Sequence, residues 1–192
     1  MARWSLIVAT ACVVAAAALT PPQISAQSSA DLGALNRQVA QLYAAGKYDE
    51  AIALAKRVIA LSEASHGIAH PDLRNALNNL AALYQAQGRL AEAEPLIKRS
   101  ISITEEALGP DHVSLAAELN NLGKVYVSQG QYDKAEQLYR RALAIHEKNY
   151  GVDHRKVAED LNNLAALYEA QGRSKEAGLL YGRARAIGRK SE

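Results

Sequence analysis

Cysteine is almost missing from this chain. The single one, Cys12, lies in an N-terminal apolar stretch. Once that stretch is removed no thiol remains, which excludes disulfides, thiolate catalysis and cysteine-zinc sites. An exported domain without disulfides is then held by apolar packing alone. Charge of one sign is lacking too. Taking Arg3 from the 22 basic residues leaves 21 against 20 acidic ones, with no long basic block. That argues against nucleic acid as the main partner. Long hydrophobic runs are also scarce. The longest, from Leu6 to Leu19 with Thr10 as its one polar residue, is about 14 residues, short of the ~20 needed to span a bilayer. No nucleophile–base arrangement, paired-carboxylate site or phosphate loop stands out. The glycines are isolated turn formers, and no cofactor is implied.

What is present begins with a leader. Arg3 gives a short positive start, the apolar run follows, and Ile24-Ser25-Ala26 offers a small residue before a cut. This is the layout of a secretory signal peptide over residues 1–26, with Pro21-Pro22 breaking any helix. The expectation is an exported, periplasmic protein cleaved near Ala26, with a membrane anchor as the alternative if the segment stays uncleaved. Residues 27–31 read as a polar linker, and 32–192 as the folded domain.

That domain is built on a period. Leu-Asn-Asn-Leu occurs at Leu77–Leu80, Leu119–Leu122 and Leu161–Leu164, and 119 − 77 = 161 − 119 = 42. His70, His112 and His154 recur in the same register. So do Tyr84/Tyr126/Tyr168, Gly88/Gly130/Gly172, Ala93/Ala135/Ala177 and Arg99/Arg141/Arg183. A worn earlier copy carries Gly46, Ala51, Lys56, Arg57 and Gly67. A fixed period of roughly 20–50 residues marks a stacked repeat architecture. The repeats read as 32–69, 70–111, 112–153 and 154–192. Each is two amphipathic helices. In the second unit one runs near Asp72–Gln87, with Leu73, Leu77, Leu80, Ala81 and Tyr84 on one side. Its partner runs near Leu90–Leu108. Gly88 ends the first in a left-handed conformation, and Gly109-Pro110-Asp111 breaks the second. Ala93, Ala135 and Ala177 are expected where two backbones cross closely. Tyr84, Tyr126 and Tyr168 are expected to insert rings between helices while keeping their hydroxyls at a polar rim.

Leu119, Leu122, Gly123, Tyr126, Ala135, Tyr139 and Ala142 fit the pattern Leu-x-x-Leu-(Gly/Ala)-x-x-Tyr, then Gly, Ala and (Tyr/Ile)-x-x-(Ala/Ser). The pattern resembles the tetratricopeptide repeat, and its 42-residue period and Asn-Asn pair resemble the long-helix variety of kinesin light chains. The first unit departs from it at Gln38, Leu42 and Ala55. The resemblance implies an all-α, right-handed solenoid of about four helix-turn-helix repeats. It further implies a concave groove that binds a protein or peptide as an extended segment, and no enzymatic activity. The family's clamp for an acidic C-terminus uses several groove lysines and arginines. Only Lys124 is available here, which argues against that ligand.

The candidate groove residues follow from helical geometry at ~100° per residue. Asn78, Asn120 and Asn162 point away from the apolar stripe and would form a ladder of amides, able to donate to and accept from a peptide backbone. Asn79, Asn121 and Asn163 flank them. Their competing reading is a bond to the neighbouring helix that fixes stacking. Asn75, Gln85, Lys124 and Glu169 complete the candidate surface. His70, His112 and His154 lie about one repeat apart, on the order of 10 Å, too far to share a metal, and read as loop or first-turn hydrogen bonders. Glu94–Lys98 and Glu136–Arg140 read as helix-surface ion pairs. An alternative function is self-assembly into a homo-oligomer of an envelope complex. Its motive is the C-terminal helix, where Gly178, Gly182 and Gly188 replace better helix formers and no separate cap follows.

Overall fold

A computed structural model of the protein describes residues 21–66 and 71–190, and it is all-helical there. The helices are α1 Pro21–Ala44, α2 Tyr48–His66, α3 Pro71–Ala86, α4 Leu90–Leu108, α5 Val113–Ser128, α6 Tyr132–Tyr150, α7 Arg155–Ala170 and α8 Ser174–Lys190. They form four helix pairs. The α3 and α4 boundaries fall within a residue of those expected from periodicity. Residues 27–31 are not a linker: they lie inside α1. Residues 1–20 of the expected leader 1–26, and Gly67 and His70 of the first outer loop, lie outside the described residues.

The turns have two recurring chemistries. At the inner turns the chain needs positive φ; Gly130, at φ 72°, is representative. There Gln131 N donates to Tyr126 O at 2.8 Å and Gly130 N to Val127 O at 3.0 Å, which closes the last turn of α5 and satisfies carbonyls it leaves open. At the outer turns His112 and His154 start α5 and α7. Each imidazole Nδ1 accepts from the backbone N–H two residues on, Ser114 at 3.2 Å and Lys156 at 3.1 Å. That is an N-cap bond, and it bears out the first-turn role read for these histidines.

Successive helices pack in order along the chain. In addition α1 touches α3 and α5 touches α7, while among the described residues no comparable contact joins α2 to α4, α4 to α6 or α6 to α8. In the first and last pairs of neighbouring repeats the first helices therefore lie closer together than the second helices, while α3 and α5 make no comparable contact and are joined by the Asn78–Glu118 bond. The stack curves, with α1, α3, α5 and α7 on its inner side. One apolar cluster runs the length of the stack, from Leu32 through Tyr84 and Tyr126 to Ala177. It holds Ala93 and Ala135, which are fully buried, as expected for close backbone crossings. Near the outer turns the buried apolar residues fall into separate clusters, each with its buried members in a single repeat: Leu73/Leu77/Ile103, Leu115/Leu119/Ile145 and Val157/Leu161/Ile187. There the repeats meet through polar groups and through one aliphatic residue of each preceding repeat, Ile59, Ile101 and Leu143, packed against these clusters.

One glycine reports how tight the spine is. A Cβ on Gly123 would overlap the ring of Tyr139, which is itself buried. The aligned pair in the second repeat is Ala81 and Ile97, where a smaller partner leaves room for a methyl. Gly123→Ala should lower stability by about 1–3 kcal/mol, despite alanine's helix preference of about 1 kcal/mol. Adding Tyr139→Ile, which recreates the 81/97 pair, should recover much of the loss. Urea unfolding of the two single variants and the double variant measures this. A neutral or stabilising Gly123→Ala would refute the close approach.

Candidate functional site

The inner wall is made by one face of each first helix. At the position of the first asparagine all four repeats carry Asn: Asn36, Asn78, Asn120 and Asn162. These do not form a free ladder. Asn78 Nδ2 donates to Glu118 Oε1 at 3.3 Å, and Asn120 Nδ2 to Asp160 Oδ1 at 2.6 Å. In both cases the acceptor belongs to the first helix of the next repeat. These two amides fasten the stack, the role that competed with groove binding for the second asparagine of each pair. The aligned residue ahead of Asn36 is Ala76, which offers no acceptor. Asn36 instead accepts from Asn79 Nδ2 at 3.2 Å, so Asn79 is also engaged in stacking. Asn162 is exposed.

Glu118 and Asp160 are the residues that sequence reading missed. Each lies at a repeat junction, almost fully buried, with relative exposures of 4% and 0%. Glu118 Oε1 accepts from Ser100 Oγ at 2.9 Å and Thr104 Oγ1 at 3.0 Å, and Arg74 Nε lies 3.9 Å away. Asp160 Oδ2 sits 2.6 Å from His146 Nδ1, and the His146 ring is buried at 5% exposure. The partner is fourteen residues upstream in both cases, Thr104 for Glu118 and His146 for Asp160. The same slot at the first junction holds Ser62 against Ala76. Burial pushes the Asp160 carboxyl above the usual carboxylate range, against the opposing effect of the Asn120 and His146 bonds. The signal was present in the sequence: an acid at an in-register position on an otherwise apolar face.

The remaining predicted residues divide cleanly. Asn121 and Lys124 are exposed, and Asn163 is half-buried. All three line one open cavity of about 390 Å³ between α5 and α7, with Asn120, His146 and Tyr150 at its floor and edge. Tyr150 stacks on His154 at 4.3 Å and on His146 at 5.7 Å between ring centroids. The cavity's other lysine, Lys156, is already paired with Glu159 at 2.7 Å. Lys124 meets no acid among the described residues. A second cavity, about 310 Å³ and mostly apolar, opens between α1 and α3 against Val39, Tyr43, Ala82 and Leu83. Asn75 is exposed and Gln85 half-buried on the wall between. Glu169 accepts from Tyr181 Oη at 2.9 Å at the far end.

The opposite face is laced by ion pairs. Glu94–Lys98 and Glu136–Arg140 form as expected, at 2.7 and 2.9 Å. The recurring arginines reach back to the preceding repeat: Arg99–Glu63, Arg141–Glu105 and Arg183–Glu147, at 2.6, 2.6 and 2.5 Å. These are exposed pairs, worth about 0.2–1 kcal/mol each. Glu94 and Glu136 also receive the hydroxyls of Tyr126 and Tyr168, at 3.2 and 2.8 Å, which bears out the polar rim expected for those rings.

Comparison with known proteins agrees with this geometry. The family model of the tetratricopeptide repeat matches residues 31–106, 72–148 and 115–190. Among solved structures, the chain is similar to nearly identical TPR-like repeats of a Podosopora anserina protein assigned as a kinesin light chain. Identity is 27% over 90% of this chain and 85% of that one, with a TM-score of 0.74. A single-substitution form of that protein gives 26%, 89%, 84% and 0.75. BtubC (BKLC) from P. vanneervenii shares the fold at a TM-score of 0.78 and 21% identity, over 92% of this chain and 68% of that one. No curated protein matches the chain.

Proposed function

The chain belongs to the tetratricopeptide-repeat family, whose repeats generally mediate protein–protein interactions, and from that premise we propose that it is a non-catalytic scaffold gripping an extended peptide segment along its inner wall. The observation that carries this reading is the cavity between α5 and α7, edged by Asn121, Lys124 and Asn163. These side chains offer amide donors, amide acceptors and a cation to a backbone lying across them. Asn78 and Asn120 hold the repeats together, so their removal would test folding and not binding.

The test is selection of random peptides of about a dozen residues, enough to span the wall in extended form, against the immobilised protein. Selected peptides should lose at least about tenfold in affinity, or about 1.4 kcal/mol, when Asn121, Lys124 and Asn163 are all changed to alanine. Binding indifferent to that triple change would remove the groove from consideration.

Self-assembly through α8 is the weaker reading. The residues that join one repeat to the next are replaced there. Gly178 stands where Glu94 and Glu136 receive tyrosine hydroxyls, and Arg189 stands where Glu63, Glu105 and Glu147 receive arginines. A second copy stacked on α8 in the same register would bring Arg57 toward Arg189. We further propose that residues 1–26 direct export, which places the scaffold in the periplasm. N-terminal sequencing of the protein recovered from its own cells should then begin at Gln27, and recovery of an intact Met1 would favour the anchored form.

A further inference from the structure

We propose that the groove holds its partner at two unlike points: an apolar side chain between α1 and α3, and a side-chain carboxylate at Lys124 between α5 and α7, both on one extended segment and about six residues apart. The inference rests on the groove reading above and adds the chemistry of the occupant.

The wall changes character along its length at a single aligned position, occupied in turn by Ala40, Ala82, Lys124 and Ala166. The first two border the N-terminal cavity, which also has Val39, Tyr43 and Leu83 in its wall. Its one amide, Asn79, already donates to Asn36. Tyr43 is held edge-on against Tyr48, with ring centroids 5.6 Å apart and planes at 70°, and is 43% exposed. A cavity of this kind gains by covering apolar surface and offers little to a charge.

One repeat beyond Ala82, the third position supplies Lys124, an exposed ammonium with no acidic partner among the described residues. Asn121 and Asn163 stand beside it in the same cavity. The nearby Glu159 is occupied by Lys156 and by Arg155, at 2.7 and 3.8 Å. An unpaired ammonium flanked by amides selects an anion, and the planar donors of an amide suit a carboxylate. One lysine, without a second cation to share the load, matches a single Asp or Glu side chain.

Neighbouring first helices are spaced by about 10 Å, so the two cavities lie about 20 Å apart. An extended strand advances about 3.3 Å per residue, which sets the separation at about six residues. The wall between the cavities carries Asn75 and Gln85, which can serve any backbone.

The experiment measures fluorescence anisotropy of labelled, end-capped Ser/Ala peptides with Leu and Asp about six residues apart. Controls carry Leu alone, Asp alone, both residues about three apart, or Leu with a free C-terminal carboxylate in place of Asp. The six-residue peptide should bind at least about tenfold more tightly than every control. Ala82→Asp should abolish the advantage conferred by Leu, and Lys124→Ala that conferred by Asp. Both positions are exposed, so unchanged circular-dichroism melts should accompany both losses. Equal binding of all the peptides, no detectable binding of the two-point peptide, or preference for the free C-terminus would overturn the proposal. Groove-dependent random peptides lacking this pattern would overturn it while leaving the groove reading intact. Random peptides indifferent to the groove variants would overturn both.

Discussion

Tyr126→Ala is expected to lower the unfolding free energy by about 3–5 kcal/mol, the range for truncating a buried aromatic ring. The ring lies in the apolar cluster that runs through all four repeats, at 5% exposure, so the cavity would open at a junction and not within one helix pair. The loss has a polar part as well. Tyr126 Oη donates to Glu94 at 3.2 Å, and Lys134 lies over the ring at 5.3 Å from its centroid. Tyr126→Phe keeps the ring and removes only the hydroxyl, so it should cost about 0.5–1.5 kcal/mol. Urea titration followed by circular dichroism separates the two. An alanine variant within about 0.5 kcal/mol of the parent, the scatter of ordinary surface changes, would mean the ring is not wedged between repeats.

His146→Ala is expected to cost a similar amount, about 3–5 kcal/mol, because it strands Asp160 as a buried acid with Asn120 as its remaining donor. Changing His146 to Thr together with Asp160 to Glu copies the Thr104/Glu118 pair of the previous junction and should recover most of the stability. Failure of that transplant would show that the two junctions are not equivalent. The pair also gives a sign for pH. Burial raises the Asp160 carboxyl above its ordinary value, so between the ordinary and the raised value the folded chain holds a proton there that the unfolded chain has given up. Its contribution is fully present below the ordinary aspartate range and is lost as pH rises through the raised value. Glu136 has the opposite sign: its net shift is downward, as bonds from Tyr168, Arg140 and Arg173 outweigh its partial burial. Its contribution is present above the ordinary glutamate range and is lost as pH falls through the lowered value. Comparing stability profiles of the parent with Asp160→Asn and with Glu136→Gln should show these opposite slopes.

The period, the helix pairs, the tyrosine wedges, the small crossing residues and the histidine caps could all be read from the sequence. Each depends on a local rule repeated in register. The roles of the asparagines could not be read so simply. A helical wheel gives the direction of Asn78, but not what the next helix sets in front of it, and Glu118 and Asp160 turn Asn78 and Asn120 into stacking bonds. The first helix was misread for a related reason. Polar residues 27–31 look like a linker when judged by composition, yet they lie within α1. Asn121, Lys124 and Asn163 line the open cavity between α5 and α7, and no acid of a neighbouring repeat bonds to them among the described residues.

The four helix pairs look interchangeable, and the buried polar pairs make them otherwise. Thr104 meets Glu118 and His146 meets Asp160, while the aligned positions of the first junction hold Ser62 and Ala76. The second and third repeats thus each carry a buried polar group matched to its own successor. Shuffling the units would put Thr104 against Asp160, or His146 against Ala76, at sites closed to water. The apolar spine would tolerate the new order, but the mismatched polar groups would not, so the array fixes the sequence in which its modules stand.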